Sequence, residues 1–325
     1  MTINARPILL AIIMGLAAMV TVPASAQNFP TAPVRLIVPV PAGGVTDTMA
    51  RLVAQGLSER WGQSVIVDNR PGGNYAVGAI AVERSAPDGY TLLVAPDSPF
   101  TINPHMTSKL SYNPKSFTSI MVLCHGTPML VVNQALPATN VNELVAHVKS
   151  KPGVINYGSY GIGSYSHLSM EDLKQRTGMN LVHVPYRGAP AALTGLLTGD
   201  VSMLLLNLSS IEAYESSGKL RILAAADEVR APTRQEFPTI AEAGVPGFTT
   251  SFWSGLFGPA GMPSELVRKI HEDVEKVLDS KPARDFFQKQ SFRRSTLTPQ
   301  QFGEYVNKES AHWGRLVTAV GAKHD

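Results

Sequence analysis

One arrangement occurs twice in this sequence and restricts the folds open to it: a β-rich stretch, a glycine loop and an amphipathic helix follow one another directly. The first copy is VPVPAGGVTDTMARL, at residues 38–52, and the second is NYGSYGIGSYSHLSM, at residues 156–170. Further short β-rich stretches alternate with helical patterns along the rest of the chain. This alternation predicts an α/β fold with largely parallel sheets.

The separate elements follow from hydrophobic period and turn residues. Strands are predicted at 34–38, 64–68, 91–95, 154–157, 181–184, 201–206, 220–225 and 252–257, with apolar stretches at 120–123 and 129–133. Helices are predicted at 47–60, 77–85, 140–150, from the second glycine loop to 177, at 189–197, at 264–279 and from 299 onward. Asn140 with Glu143, and Thr298 with Gln301, are helix N-terminal capping signals.

The alternation is interrupted between Leu123 and Pro137, which divides the chain into two α/β units. The tail after about Phe252 lacks a full β/α rhythm, so we expect it to pack back on the first unit. We therefore predict one lobe of residues 27–125 and 250–325, and another of residues 126–249, joined by crossing strands. Ligands of such sheets lie at the carboxyl ends of the strands, which places the predicted site in the cleft between the lobes.

The first 26 residues have the pattern of a secretory signal peptide. Arg6 precedes an apolar run from Ile8 to Val20, and Ala24-Ser25-Ala26 is a small-x-small cleavage pattern. Cleavage places the mature start near Gln27 and the protein in the periplasm. An uncleaved anchor helix is the alternative, although the run is short for a membrane span.

Charge and cysteine content exclude some classes of protein. The formal net charge is +3, without clusters of lysine and arginine, which argues against a nucleic-acid partner. Cys124 is the only cysteine, so an intramolecular disulfide is excluded, and its apolar surroundings predict a buried thiol. We expect a monomer.

Both glycine loops open a helix, and a helix N-terminus binds anions through backbone N–H groups that lack intrahelical partners. Neither loop contains a basic side chain before the helix begins. A carboxylate suits such a pair of loops. The alternative is that both are ordinary connections from strand to helix.

Motifs for other chemistries do not fit. Gly158, Gly161 and Gly163 have the spacing G-x-x-G-x-G, which differs from the dinucleotide fingerprint, and the sequence contains neither a Walker motif nor a G-x-S-x-G elbow. Ser164 and His167 are three residues apart, but a helix cap explains them better than a catalytic pair does. His167 and Glu171 have a spacing that two metal ligands can use, without a second cluster. We predict no enzyme activity, no metal and no cofactor.

The chain resembles the extracytoplasmic receptors of tripartite tricarboxylate transporters, the Bug family, over nearly all of the mature sequence. The segments that carry the resemblance are VRLIVPVPAGGVTDTMARLVAQ, VIVDNRPGG, APDGYTLLVA, INYGSYGIGSYSHLSME, HVPYRGAPAALTGLLTGDVSMLL, GKLRILAAA, FPTIAEAGVPGF and FWSGLFGPAGMP. The resemblance implies a two-lobed periplasmic binding protein of type II, which closes on a small carboxylate and delivers it to membrane permease subunits. A ligand-dependent sensor component is the alternative function, and an exported hydrolase is a third.

The resemblance also implies which residues bind the ligand. The first loop would contribute Val45, Thr46 and Asp47, with Asp47 orienting the loop and its waters. The second would contribute Ser159, Gly163 and Ser164, with His167 in support. The remaining candidates are Tyr160, which lies within the second loop, and five residues outside both loops: Ser98, Phe100, Arg187, Asn207 and Ser209.

Several of these candidates depart from the family pattern. Phe100 and Tyr160 are larger than the residues common there, which suggests that the ligand is an aromatic mono- or dicarboxylate stacked on these rings. The alternative is that the rings only fill the rim of the cleft. Arg187 either reaches a distal carboxylate or pairs on the surface, and the wall at Asn207 and Ser209 lacks the usual proline.

Overall fold

A computed structural model describes residues 29–250 and 252–323. The predicted signal peptide, residues 1–26, lies outside this range. Within it, none of the helices is long and apolar enough to cross a membrane.

The described residues form ten strands and eleven α-helices. The strands are β1 (Val34–Val38), β2 (Val65–Asn69), β3 (Thr91–Pro96), β4 (Phe117–Gly126), β5 (Pro128–Asn133), β6 (Asn156–Ser159), β7 (Val182–Pro185), β8 (Met203–Asn207), β9 (Leu220–Ala225) and β10 (Phe252–Pro259). The helices are α1 (Val45–Trp61), α2 (Ala76–Glu83), α3 (Ser98–Thr101), α4 (Asn103–Met106), α5 (Val141–Ser150), α6 (Tyr165–Thr177), α7 (Ala189–Thr198), α8 (Glu212–Ser216), α9 (Ser264–Leu278), α10 (Lys281–Gln290) and α11 (Pro299–Val320).

The strands form two five-stranded sheets, with the orders β2-β1-β3-β10-β4 and β7-β6-β8-β5-β9. In each sheet three neighbouring strands are parallel, namely β2-β1-β3 and β7-β6-β8. The other two strands are joined by antiparallel pairing, with β10 between β3 and β4, and β5 between β8 and β9. The prediction of largely parallel sheets is therefore wrong, because half of the strand pairings are antiparallel.

The antiparallel strands arise where the chain crosses between the sheets. β4 belongs to the first sheet, and only Thr127 separates it from β5 in the second. The chain returns after β9 and enters the first sheet again as β10. The tail contacts the first sheet's elements: α9 contacts α1 across the first sheet's core, and α11 contacts β4.

Each sheet has its own apolar core. The first is centred on Leu36, Val53 and Ile270, which are fully buried. The second is centred on Leu130, Leu144 and Met203, likewise fully buried. Alternating strand residues and the periodic stripes of the helices supply both cores, in agreement with the sequence patterns. Cys124 is fully buried, as predicted.

Candidate ligand-binding site

A cavity of about 660 Å³ lies between the carboxyl ends of strands from the two sheets. Its walls come from both halves of the molecule. The described residues that line it are Val40, Pro41, Ala42, Gly44, Val45, Thr46, Asn74, Tyr75, Pro96, Asp97, Ser98, Asn103, Met106, Thr107, Tyr160, Ile162, Gly163, Ser164, Tyr165, Gly188, Ala189, Asn207 and Phe252. Seven of the thirteen sequence candidates belong to this wall: Val45, Thr46, Ser98, Tyr160, Gly163, Ser164 and Asn207.

Three helices begin at the cavity. The first residues of α1, α6 and α7 all belong to its lining. Gly44 and Gly188, which precede α1 and α7, provide no side chain to cap the first N–H groups. Each helix therefore presents partial positive charge and free backbone donors to the same volume. All three helices were predicted from the sequence, but only the N-termini of α1 and α6 were assigned to the site.

The second glycine loop is held by its own side chains. Ser164 caps α6: its hydroxyl accepts a hydrogen bond from the His167 N–H at 3.3 Å and donates one to the Gly161 carbonyl at 2.6 Å. The His167 Nδ1 accepts from the Gly163 N–H at 3.1 Å. Ser164 is thus a helix cap, as the sequence analysis favoured over a catalytic pair.

The first loop is held by Asp47, which is 2% exposed and does not line the cavity. Its carboxylate accepts hydrogen bonds from the Gly43 N–H at 2.8 Å, from Arg51 at 3.0 Å and from Asn69 at 2.9 Å. Burial alone would raise the pKa of Asp47, but the hydrogen bonds from Arg51, Gly43 and Asn69 outweigh burial and lower it. Asp47 therefore positions the first loop and does not itself line the cavity.

The cavity wall is aromatic on one side. Tyr160 and Tyr165 meet edge to face with centroids 5.5 Å apart, and Phe252 lies 6.4 Å from Tyr165. The Tyr160 hydroxyl donates to the Leu205 carbonyl at 2.8 Å, which fixes its ring at the wall. An apolar part of a ligand has a flat surface to contact here.

The structure contradicts the prediction that Phe100 stacks on the ligand. Its side chain is 3% exposed and packs against Phe257, with ring centroids 4.0 Å apart, and against Phe117 at 5.2 Å. Successive residues of a helix differ by about 100° in direction, so Ser98 and Phe100 of α3 point to nearly opposite sides. Because Ser98 faces the cavity, Phe100 enters the core.

Four further candidates lie outside the wall. Ser159 is fully buried and its hydroxyl pairs with the His183 ring at 2.7 Å, while His167 stacks on that ring at 4.1 Å. Arg187 is exposed beside Gly188, at the entrance of α7, and Ser209 is half-buried in a 3₁₀ turn after β8. Ser159 and His167 accept hydrogen bonds from the Gly161 and Gly163 N–H groups, so these two residues position the second loop without lining the cavity.

The pair His167 and Glu171 does not form a metal site in the structure. Glu171 accepts hydrogen bonds from the Tyr157 hydroxyl and from Lys174, and His167 is turned toward Gly163. Among the described residues, no group of three or more His, Cys, Asp and Glu side chains has the arrangement of a metal site.

A polar turn on the wall of the first sheet was not predicted from the sequence. Asn74 and Tyr75 are non-glycine residues with positive φ, 51° and 76°. The Asn103 amide donates to the Asn74 carbonyl at 2.9 Å, and the Asn74 amide donates to the Asn103 side chain at 2.9 Å, which secures this turn. Backbone strain of this kind clusters at ligand sites. From the residues PGGNY, only a turn was predicted here.

Asp97 is a further residue of the cavity wall that was not predicted from the sequence. It follows β3 directly and is 1% exposed, and it is the only acidic residue among the described residues of the lining, which include no Lys, Arg or His. Its signal in the sequence was its position at the carboxyl end of a strand, where ligands of α/β sheets lie.

The model of the tripartite tricarboxylate transporter family receptor matches residues 49–322. The chain belongs to this receptor family. Protein BugT of Bordetella pertussis (strain Tohama I) is 32% identical over 306 residues, which cover 94% of each chain. The structure of R. palustris Rpa4515 with adipate has a TM-score of 0.80 and 33% identity, covering 90% of this chain and 98% of that one. The structure of the periplasmic binding protein BugD has a TM-score of 0.77 and 28% identity, covering 91% and 100%.

The receptor family accounts for the two sheets and the cavity between them. The predicted fold, a two-lobed periplasmic binding protein, is confirmed by these structural relatives. The predicted function class, solute binding, is confirmed as well, and the family is one of receptors.

Proposed function

We propose that this receptor resides in the periplasm, captures a small carboxylate between its lobes and delivers it to the membrane subunits of a tripartite transporter. The observation that carries the proposal is the meeting of three helix N-termini at one cavity whose described lining lacks basic side chains. Backbone N–H groups and helix dipoles supply the positive potential that a carboxylate requires. Adipate, bound to R. palustris Rpa4515, is a carboxylate of suitable size.

The lobes would be residues 27–125 with 250–325, and residues 126–249. Two crossings connect them, one at Thr127 and one between β9 and β10. Paired crossings of this kind serve as hinges in proteins that close around a ligand. Ligand contacts from both sides of the cavity would therefore favour the closed arrangement.

An aromatic acid is supported by Tyr160, Tyr165 and Phe252, and no longer by Phe100. Periplasmic location is supported by the signal-peptide pattern of residues 1–26 and by the family. Turnover by Ser164 has no support, since its hydroxyl is engaged as a helix cap.

The test uses the mature protein, unfolded and refolded to remove carried-over ligand. Thermal shift and calorimetry compare carboxylates (adipate, succinate, citrate, benzoate, terephthalate) with neutral adipamide and benzamide. A carboxylate at one hundred times its Kd should stabilise the fold by about 2.7 kcal/mol, and its amide should have no effect. If every carboxylate tested, with or without an amino group, leaves a folded, stripped protein unchanged, the proposal is wrong.

A deletion strain then tests delivery. Loss of uptake of the identified carboxylate supports the transport role. Retained uptake with lost gene induction would assign the protein to the sensing alternative instead.

A further inference from the structure

Asp97 stands in the cavity wall, and no positively charged side chain of the described residues is paired with it. Its Oδ1 accepts a hydrogen bond from the Ser98 hydroxyl at 2.8 Å, whereas its Oδ2 is buried and has no hydrogen-bond partner among the described residues. A buried carboxylate oxygen without a partner is costly, so the position implies a compensating group.

Among the described residues, the groups that shift the pKa of Asp97 include no cation. The side chains that interact with its charge are the phenols of Tyr75 and Tyr165 and the carboxyl of Glu309. Burial raises the pKa of Asp97 to about 6, and the Ser98 hydroxyl and backbone N–H groups limit the rise. A positively charged group beside Asp97 would favour its ionised form.

Two more oxygens of the described cavity-lining residues accept no hydrogen bond: the Asn207 Oδ1, which has no partner, and the Tyr165 hydroxyl oxygen, whose hydrogen is directed to the Tyr160 hydroxyl. The three unpaired acceptors are thus a carboxylate oxygen, an amide oxygen and a hydroxyl oxygen. An ammonium group has three donors, no acceptor and a positive charge. A second carboxylate has only acceptors and would repel Asp97.

We propose that the ligand is an aminocarboxylate, whose carboxylate meets the helix N-termini and whose ammonium group is selected by Asp97. The proposal rests on the proposed function, since it names the ligand class of the same cavity. Tyr165 and Asn207 accept the remaining ammonium hydrogens. Asp97 is accordingly the residue that separates aminocarboxylates from dicarboxylates.

The test is calorimetry with four ligands of six carbons: hexanoate, adipate, 6-aminohexanoate and 2-aminohexanoate. An aromatic set of 4-methylbenzoate, terephthalate and 4-(aminomethyl)benzoate repeats the comparison on a ring. At least one amino ligand should bind at least tenfold more tightly than both of its matched compounds, the one without the amino group and the dicarboxylate. In Asp97→Asn this preference should fall at least tenfold, while the plain monocarboxylate stays within threefold of wild type.

The matched control is Asp88→Asn, which changes an exposed aspartate in a turn of the same half of the molecule. It should leave all affinities unchanged. If monocarboxylates or dicarboxylates bind and every amino ligand binds more weakly, the inference is wrong and the proposed function stands. If no carboxylate of either set binds the stripped protein, the proposed function itself fails.

Proton linkage provides a second readout that needs only the wild-type protein, in case Asp97→Asn does not fold. Binding heats are measured at pH 6.5 in two buffers of different ionisation enthalpy. An ammonium ligand next to Asp97 should release protons from the protein, because it favours the ionised carboxyl. Proton uptake with the amino ligand would overturn the assignment.

Discussion

At the scale of single residues, Gly163 connects backbone conformation to ligand binding. Its φ is +74°, and a Cβ placed on it would lie 2.3 Å from the Met106 Cε, across the cavity. We predict that Gly163→Ala lowers the free energy of unfolding by about 1 kcal/mol through backbone strain. The shifted loop should also raise the Kd of the carboxylate about tenfold, equivalent to about 1.4 kcal/mol, as measured by calorimetry.

Gly218→Ala is the control for this prediction. Gly218 has nearly the same φ, +71°, with nothing within 4 Å of an added Cβ, and it does not line the cavity. It should show the same loss of stability with an unchanged Kd. Equal effects of the two variants on affinity would mean that Gly163 acts through general strain.

Residue placement was predictable only where local chemistry fixes it. Ser164 is a cap because its hydroxyl meets the free N–H groups of α6, an interaction within four residues of sequence. Phe100 was placed at the ligand and Asp97 was not predicted, since each position depends on which side of α3 meets the other half of the molecule. The sequence predicts the period of a helix, but it does not determine which side of a short helix faces the cavity.

At the scale of elements, the strongly periodic helices were predictable and the sheet order was not. The predicted helix at 264–279 agrees with α9 to within one residue, whereas α10 was missed because only Asp279 and Ser280 separate it from α9. The insertion of β10 between β3 and β4 joins strands more than 120 residues apart. No local pattern encodes such a pairing, which long-range packing decides.

The two crossings are tied together by an ion pair between Arg293 and Asp227. Asp227 follows β9 and is 2% exposed, and Arg293 forms a backbone bridge with His125 at the end of β4. We predict that Arg293→Met lowers the free energy of unfolding by about 2 kcal/mol, because it leaves the buried carboxylate of Asp227 without its ion-pair partner. The effect is smaller than for a fully buried pair, because the side chain of Arg293 is about a third exposed. Urea unfolding at pH 7.5 measures it.

The sign of the pH dependence follows from Asp227. Burial already raises its pKa above the ordinary value, and the charge of Arg293 opposes that rise. Without Arg293, the pKa of Asp227 in the folded state lies further above its pKa in the unfolded state. The free energy of unfolding of the variant therefore falls as pH rises between these two pKa values. The loss of stability in Arg293→Met relative to wild type should be smaller at pH 5 than at pH 7.5. Arg268→Met, at an exposed pair with Glu272, should change stability by less than about 0.5 kcal/mol at either pH.

At the scale of the whole molecule, the proposed function requires that the ligand enters through a cleft that opens and closes. Met106 from the first half and Gly163 from the second meet across this cleft, and the Met106 Cγ lies 3.6 Å from a Cβ placed on Gly163. A cysteine sulfur at residue 106 would occupy the position of that Cγ, close enough for a disulfide after a small adjustment. The native Cys124 is fully buried and does not compete.

We predict that the double variant Met106→Cys with Gly163→Cys, once oxidised, exchanges ligand at least a hundredfold more slowly than its reduced form. Stopped-flow measurement of ligand release checks this, and reduction should restore the rate. The reduced double variant carries the same strain at residue 163, so the comparison isolates the cross-link. Equal release rates in both forms would show that the ligand leaves without separation of the two halves, and the hinge assigned to the two crossings would then be wrong. A slow oxidised form would establish that the cavity between the sheets opens only when these halves part.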